Sequence, residues 1–236
     1  MSHAIAPEDR LIFALDVADT EQAKQLVEEL GDAVRFYKIG LELAMREGYF
    51  ELLDWLVARG KQVFIDVKLF DVPATVGAAV RNLSERGATF CTVHGYQSFM
   101  EAAAAEKGAL KILAVTVLTS LDRGDMDDLG FDCDIPELVL SRARRALEAG
   151  CDGVISSGLE VPRLRQHVDN KLLVITPGIR PVENRPSDDQ KRVVSVEQAF
   201  ENGADYIVVG RPIRNAPQPR AAAEAIVETI RQQFAL

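Results

Sequence analysis

The residues with the clearest chemical potential lie in one segment, which reads VFIDVKLFDVPATV over residues 63–76. Its first half, Val63–Leu69, is β-branched and apolar apart from Asp66 and Lys68, which predicts a buried strand. Alternate side chains of a strand share a face, so we expect these two charges to lie side by side. Opposite charges are tolerated at a buried position only as a hydrogen-bonded pair, because each alone loses its hydration.

A second carboxylate follows at Asp71, just before Pro73 ends the strand and opens a helix. A lysine held between two carboxylates stays protonated, because each negative charge favours the ammonium form. Lys68 is therefore a candidate proton donor. A purely structural ion-pair network in the strand is the alternative that this segment alone leaves open.

Apolar runs with strand character alternate with helical stretches along the whole chain. Such alternation calls for a parallel sheet covered on both faces. The length fits a (β/α)8 TIM barrel, which typically takes about 250 residues, and we expect a single α/β domain over residues 1–236. A doubly wound open sheet is the alternative, disfavoured because no GxGxxG turn follows the first strand. The eight predicted strands are Leu11–Val17, Phe36–Gly40, Val63–Leu69, Thr89–Gly95, Lys111–Leu118, Gly153–Ser157, Leu172–Arg180 and Asp205–Arg211.

Polar residues recur in or just after the carboxyl-terminal halves of these strands. In a barrel the carboxyl ends of the strands converge on one face, where active sites lie. Scattered polar residues of a core would not share one end, so the pattern indicates an enzyme. The residues concerned are Asp16, Lys38, Asp66, Lys68, His94, Thr119, Ser157, Thr176 and Arg211.

The last predicted strand ends in Gly210-Arg211, where the glycine lets the backbone approach a ligand and the guanidinium suits a phosphate. The loops after strands seven and eight are the usual phosphate site of this fold, which favours that function over an ordinary strand exit. The loop from Arg180 to Arg192 is longer than most βα connections, so we expect a lid. Asp16 suits a sugar hydroxyl, since a carboxylate accepts hydrogen bonds.

Other polar residues have less specific interpretations. Thr119 and Ser120 either pair with a heterocyclic base or cap a loop, and the sequence leaves both open. His94 is more typical of a hydrogen-bonded core histidine than of a catalyst. The histidines are too dispersed to chelate a metal, and the acids between Asp122 and Asp134 lack EF-hand spacing, so we expect a solvated loop there and no metal.

The composition of the chain argues against some classes of binding partner. The chain has 236 residues, of which 47% are hydrophobic and 27% charged, and its formal net charge is −9. This charge argues against nucleic acid or an anionic membrane surface as the main partner, although a site can be locally basic. The three cysteines form no metal or disulfide pattern, and we expect neither a signal peptide over residues 1–10 nor a membrane-spanning run. A cytoplasmic protein is the default expectation.

The pattern Asp66-x-Lys68-x-x-Asp71, followed by Val-Pro-Ala-Thr75, resembles the signature of the orotidine 5′-monophosphate decarboxylase family. Barrel decarboxylases of sugar phosphates share its first part, so this segment alone is a weak signal. The likeness extends over nearly the whole chain, in the spacing and order of the bacterial members. It runs through Leu15-Asp16, Tyr37-Lys38-Ile39-Gly40, Val93-His94, Leu118-Thr119-Ser120, Thr176 to Arg180, Asp189-Gln190 and Val209 to Pro212.

The resemblance implies removal of CO2 from orotidine monophosphate, without a metal or cofactor, to give uridine monophosphate in pyrimidine synthesis. It implies an alternating charge array of Lys38, Asp66, Lys68 and Asp71, in a homodimer whose partner supplies Asp71 and Thr75 to each site. The other substrate contacts that it implies are Asp16 and Lys38 to the ribose, Thr119 and Ser120 to the pyrimidine, and Arg180, Gln190, Gly210 and Arg211 to the phosphate.

Two other functions stay open on sequence grounds. A magnesium-dependent sugar-phosphate decarboxylase or aldolase would use the same barrel, and full activity in EDTA would exclude it. A non-catalytic nucleotide-phosphate sensor would bind its ligand without turnover. That second function would leave the buried lysine–aspartate pair without a role.

Overall fold

The strands close into one barrel. The computed structural model describes residues 5–180 and 193–235, and within them eight parallel strands pair in chain order, the last pairing with the first. The predicted (β/α)8 barrel is confirmed, and the open-sheet alternative is wrong. The strands are β1 Leu11–Ala14, β2 Phe36–Gly40, β3 Gln62–Leu69, β4 Phe90–His94, β5 Lys111–Val115, β6 Gly153–Ile155, β7 Leu173–Thr176 and β8 Tyr206–Val209.

Helices surround the barrel and connect its strands. In the part of the chain that the structure describes, none of them is long and apolar enough to cross a membrane. After a short 3-10 turn at Pro7–Asp9, the helices are α1 Thr20–Leu30, α2 Leu41–Ala44, α3 Tyr49–Ala58, α4 Pro73–Glu85, α5 Gln97–Glu106, α6 Arg123–Asp128, α7 Ile135–Glu148, α8 Val161–His167, α9 Val196–Glu201, α10 Arg211–Arg214 and α11 Pro219–Phe234.

Several strands are shorter than their apolar runs suggested. β7 ends at Thr176 rather than at Arg180, because Pro177 has no amide hydrogen to donate and Gly178 turns the chain with φ 77°. Ile179 then forms only an isolated parallel bridge. Pro177 and Gly178 belong instead to a loop that lines the cavity at this end of the barrel.

Two predicted helices differ in detail. The sequence predicts one helical stretch from Leu43 to Ala58, but Gly48 adopts φ 81° and separates α2 from α3. Thr20 is the N-cap that the sequence predicts for α1, but the cap is Asp19, whose carboxylate accepts a hydrogen bond from the amide of Gln22 at 2.8 Å.

The acidic stretch between Asp122 and Asp134 is partly helical, which corrects the prediction of a loop. Asp122 and Asp125 form a capping box at the start of α6, each carboxylate accepting the backbone amide of the other residue. Carboxylates at a helix start also suit the helix dipole. The two acids therefore have a structural role.

Aromatic rings fill the amino-terminal half of the barrel interior. Phe36, Phe90 and Tyr206 each begin a strand. Their ring centroids lie 4.9 Å apart for Phe36–Phe90, 5.2 Å for Phe90–Tyr206 and 5.9 Å for Phe36–Tyr206. Phe64 adds a fourth ring, 6.1 Å from that of Phe90. Tilted and edge-on rings pack densely, so this half of the barrel is a solid core.

At the amino-terminal face, Asp205 ties several chain segments together. One of its carboxylate oxygens accepts hydrogen bonds from Arg165 at 2.6 Å and from the amide of Val174 at 2.8 Å. The Arg165 guanidinium also donates to the carbonyls of Gly203 and Leu172, at 2.8 and 2.9 Å. Polar residues at this face of a barrel serve stability, since the chemistry takes place at the other face.

We expect Asp205→Ala to lower the free energy of unfolding by about 2–4 kcal/mol, because it leaves a largely buried guanidinium and a strand amide without their acceptor. Urea denaturation measures the change. The control is Asp32→Ala, which removes a partner of Arg220 where the carboxylate is 89% exposed and such pairs contribute little. Equal losses in the two variants would mean that Asp205 is only a surface ion pair.

Candidate active site

A cavity of about 280 Å³ opens at the carboxyl ends of the strands. Apolar strand residues, among them Ala14, Phe64, Ile155 and Val208, line it together with a few converging polar groups, as is usual for small-molecule sites. Among the described residues, no three His, Cys, Asp or Glu side chains are grouped so as to hold a metal ion. The predicted site residues that line the cavity are Asp16, Lys38, Asp66, Lys68, Thr119, Ser120, Arg180, Gly210 and Arg211.

Four of these side chains form a continuous chain of charge. Lys38 Nζ lies 2.9 Å from Asp16 Oδ1 and 3.6 Å from Asp66 Oδ2. Lys68 Nζ lies 3.0 Å from the other oxygen of Asp66, Oδ1. The expected pairing of Asp66 with Lys68 is therefore present. The signs alternate along this row of four side chains, so each charge lies beside one of opposite sign.

Burial and pairing act in opposite directions on the two most buried of these groups. Burial alone lowers the pKa of Lys38, but Asp66 and Asp16 outweigh burial and hold this pKa above the ordinary lysine value. Burial alone raises the pKa of Asp66, but Lys38 and Lys68 outweigh it and hold this pKa below the ordinary carboxyl value. Both groups are therefore charged at neutral pH.

Lys68 reaches the cavity from an irregular part of its strand. β3 pairs with β4 through Ile65 and Cys91 and next through Leu69 and Val93, so the residues between them bulge out of the ladder. Lys68 has φ 51°, a left-handed conformation that is uncommon for a residue with a Cβ. Such strain persists only where the surroundings hold it, and it clusters at functional sites.

The loops after β7 and β8 bring two arginines to the cavity. Arg180 follows β7, and Arg211 follows β8 after a single glycine. A Cβ on that glycine, Gly210, would lie 3.4 Å from the Ala14 side chain and 3.9 Å from Asp16 Oδ2. A side chain there would make ordinary contacts but would occupy space beside Asp16, which glycine leaves free for a ligand. The guanidiniums suit an anionic group on that ligand.

Asp71 and Thr75 do not line the cavity of their own chain. Both are exposed, and the Asp71 carboxylate accepts a hydrogen bond from the amide of Val72 at 2.6 Å. In the part of the chain that the structure describes, no ion pair joins Asp71 to Lys68. The expectation that Lys68 lies between two carboxylates is therefore not met within one chain. Lys38 occupies such a position instead.

The remaining predicted residues fall into three groups. Thr119 is buried and Ser120 is exposed, and both line the cavity. Ser157 and Thr176 are buried and do not line it. Gln190 and the rest of the predicted lid, residues 181–192, lie outside the described residues.

His94 lies beside a neighbouring cavity of about 360 Å³, which is lined mainly by apolar side chains and by Arg142. Its ring packs edge-on against that of Phe70, with centroids 5.0 Å apart. Burial lowers the pKa of His94, and the positive charges of Arg142 and Lys68 lower it further. These contacts favour the structural interpretation of this histidine.

Three side chains that support the site were missed by the sequence analysis. Phe64 lines the cavity, Thr92 donates a hydrogen bond to Asp66, and Arg214 donates one to the main-chain carbonyl of Asp16. Strand alternation was a signal for Phe64, because it lies on the same strand face as Asp66. Thr92 and Arg214 act on residues distant in the chain, and no spacing rule reveals such contacts.

The fold and the site together define a class, a (β/α)8-barrel enzyme with an alternating-charge site at the carboxyl ends of its strands. A protein of Methylococcus capsulatus named orotidine 5′-phosphate decarboxylase is 67% identical over 227 residues, which cover 96% of this chain and 94% of that protein. One of the same name from Nitrobacter winogradskyi is 49% identical, covering 93% and 91%. The crystal structure of orotidine 5′-phosphate decarboxylase from Lactobacillus acidophilus superposes with a TM-score of 0.83 at 34% identity, covering 97% of this chain and all of that one.

The family model described as orotidine 5′-phosphate decarboxylase / HUMPS matches residues 9–226. The chain belongs to this family, and it is an enzyme of the carboxy-lyase class. The resemblance found in the sequence is thereby confirmed.

The lowered pKa of His94 has a consequence for stability. In the unfolded chain the imidazole takes up a proton near its ordinary pKa of 6.5, whereas in the folded chain it does so only at lower pH. Between these two values the unfolded state binds more protons, so stability falls as the pH decreases below about 6.5. We expect His94→Gln to reduce this fall, as measured by urea denaturation at a series of pH values. His167→Gln, at an exposed position of α8, is the control, and an equal reduction in both variants would contradict the assignment to His94.

Proposed function

We propose that the chain converts orotidine 5′-monophosphate to uridine 5′-monophosphate and CO2, a step of de novo pyrimidine synthesis, without a cofactor or metal. The observation that carries the proposal is the Lys38–Asp66–Lys68 array, in a cavity that also holds Arg180 and Arg211. The names of the relatives support the same substrate. A cytoplasmic location stays a prediction from the sequence.

Decarboxylation of this substrate poses an electrostatic problem. Breaking the bond between C6 and its carboxylate leaves the electron pair on C6, in the plane of the ring, where the π-system cannot delocalise it. A fixed ammonium beside C6 stabilises this charge as it develops. The same ammonium then transfers a proton to C6, and the lysine regains its proton from solvent. Lys68 is the group that we assign to both roles.

The neighbouring charges hold Lys68 in place. Asp66 uses one oxygen for Lys68, at 3.0 Å, and the other for Lys38, at 3.6 Å, so its carboxylate cannot turn without losing a partner. An array that is already arranged needs little reorganisation during the reaction. We also assign to Asp66 a repulsion of the substrate carboxylate, which loss of CO2 relieves.

The rest of the substrate is assigned to the other lining residues. We place the ribose hydroxyls at Asp16 and Lys38, because both polar groups line the cavity and bind each other there. Binding energy from such remote contacts can be used to hold the reacting ring against the charged array. The pyrimidine is assigned to Thr119 and Ser120, and the phosphate to Arg180, Gln190, Gly210 and Arg211.

The proposal includes a homodimer in which each chain supplies Asp71 and Thr75 to its partner's site. Both residues are exposed, and neither lines the cavity of its own chain. Asp71 is flanked by Phe70 and Val72, residues that are 60% and 62% exposed. Leu41 and Met45, at 59% and 73%, add to the exposed apolar surface. Exposed apolar surface of this kind is typical of a protein interface.

We expect Lys68→Ala to abolish turnover of orotidine monophosphate, followed by its near-ultraviolet absorbance in buffer containing EDTA. Loss of one electrostatic donor costs about 3–4 kcal/mol of transition-state stabilisation, and here the proton donor is lost as well. The control is Lys24→Ala on α1, where the ammonium pairs with Glu21 and does not line the cavity.

Turnover by Lys68→Ala within about tenfold of wild type would contradict the mechanism. If EDTA abolishes turnover by the wild-type protein, the result favours the magnesium-dependent sugar-phosphate decarboxylase or aldolase. Tight binding of the nucleotide without any turnover favours the sensor.

The composite site predicts complementation between two inactive variants. In a mixed dimer of Asp71→Asn and Lys68→Ala, one site receives an unmutated Lys68 from one chain and an unmutated Asp71 from the other. With random pairing of subunits in a two-fold dimer, we expect about one quarter of wild-type activity after subunit exchange. Turnover of the mixture measures it, with exchange monitored by mass spectrometry.

Asp66 supplies the matched control. Asp66 and Lys68 contact each other within one chain, so mixing Asp66→Asn with Lys68→Ala regenerates no complete site. Activity in that control mixture, or none in the first mixture despite exchange, would contradict the shared site.

A further inference from the structure

Thr92 faces the irregular part of β3. The ladder between β3 and β4 passes from the pair Ile65–Cys91 directly to the pair Leu69–Val93. Thr92 is thus the only residue of β4 opposite the bulge that carries Asp66 and Lys68. A bulge leaves backbone groups without their ladder partners, and buried amides need an acceptor.

The Thr92 hydroxyl makes two hydrogen bonds, both to this bulge. Its oxygen accepts from the backbone amide of Lys68 at 3.0 Å, and its proton is donated to Asp66 Oδ1 at 2.9 Å. The directions follow from the chemistry, because an amide only donates and a carboxylate only accepts. Thr92 is fully buried, so water does not compete for either bond.

These bonds close a ring around the lysine. Asp66 Oδ1, which accepts from Thr92, also binds Lys68 Nζ at 3.0 Å. The Thr92 hydroxyl therefore binds the backbone amide of Lys68 directly. It is also connected to the Lys68 ammonium, because both bind the same oxygen of Asp66. This accounts for how a left-handed backbone at φ 51° is held in place.

We propose that Thr92 is a positioning residue for the reaction, and that its hydroxyl fixes both the backbone and the ammonium of Lys68. The role rests on the decarboxylation proposed above. Without the hydroxyl, the Lys68 amide loses its acceptor and the Asp66 carboxylate loses one of the three groups that orient it. Lys38, on the other oxygen, then pulls Asp66 without opposition from Thr92.

The effect should fall on kcat rather than on KM. Lys68 acts in the reacting step, whereas the proposed ribose and phosphate contacts come from other strands and loops. A displacement of about 1 Å in a catalytic group can cost about 100-fold in rate. We therefore expect Thr92→Val, which keeps the shape and removes the hydroxyl, to lower kcat by about 10–100-fold. KM should stay within about threefold of wild type.

The conservative variant separates the hydroxyl from simple packing. Thr92→Ser keeps the hydroxyl and should retain kcat within about threefold of wild type. If Thr92→Val does not fold, Thr92→Ser and Thr92→Ala form a second pair, because both lose the methyl group and only the alanine loses the hydroxyl. Equal kcat values within that pair would overturn the proposal, as would wild-type kcat in Thr92→Val.

Thr89, the residue just before β4, gives the matched control for a hydroxyl that binds an amide of β3. Its hydroxyl accepts the amide of Val63 at 3.2 Å, at the other end of β3 and away from the cavity. Thr89→Val should keep the wild-type kcat, and a loss equal to that of Thr92→Val would reduce Thr92 to a general strand contact. The wild-type assay distinguishes the two proposals: no turnover of orotidine monophosphate by the unmutated protein overturns the function itself and the Thr92 role with it.

Discussion

The site depends on one buried carboxylate. Asp66 is only 14% exposed in its side chain, and a carboxylate in such a position is stable only when charged and hydrogen-bonding partners replace its lost water. Its partners come from three neighbouring strands, Lys38 on β2, Lys68 on β3 and Thr92 on β4. The demand for these partners therefore fixes the register and spacing of the strands at the same time as it assembles the charges. The contacts of Asp66 therefore serve the fold and the site at once.

The two ends of the barrel carry different kinds of contact. At the amino-terminal end, aromatic rings and bonds such as Asp205–Arg165 pack the interior and join neighbouring segments. At the carboxyl-terminal end, Lys68 is held in a strained backbone and like charges are kept close by opposite ones between them. The densely packed amino-terminal half can compensate for backbone strain in the carboxyl-terminal half, because strained residues persist only when the rest of the structure determines their positions.

The sequence was sufficient for the barrel and for the polar and charged side chains that line the cavity, and insufficient for the local geometry of the site. Strand alternation correctly brought Asp66 and Lys68 together, but for an incomplete reason. The chain leaves the ladder between them, and no glycine or proline marks that bulge. The partner of the bulge, Thr92, looked like any β-branched strand residue, since its role depends on the neighbouring strand. Asp71 illustrates the other limit, because its spacing from Lys68 predicted a contact that the described part of the chain does not contain.

The aromatic packing inside the barrel has a consequence for molecular traffic. Phe36, Phe90 and Tyr206 block the barrel axis, with Phe64 between them and the cavity. No small molecule can pass through the axis, so a nucleotide must enter and leave by the mouth at the carboxyl ends of the strands. A gas released at Lys68 has no route along the axis either. It must leave by the same mouth, so reactant and products share one entrance.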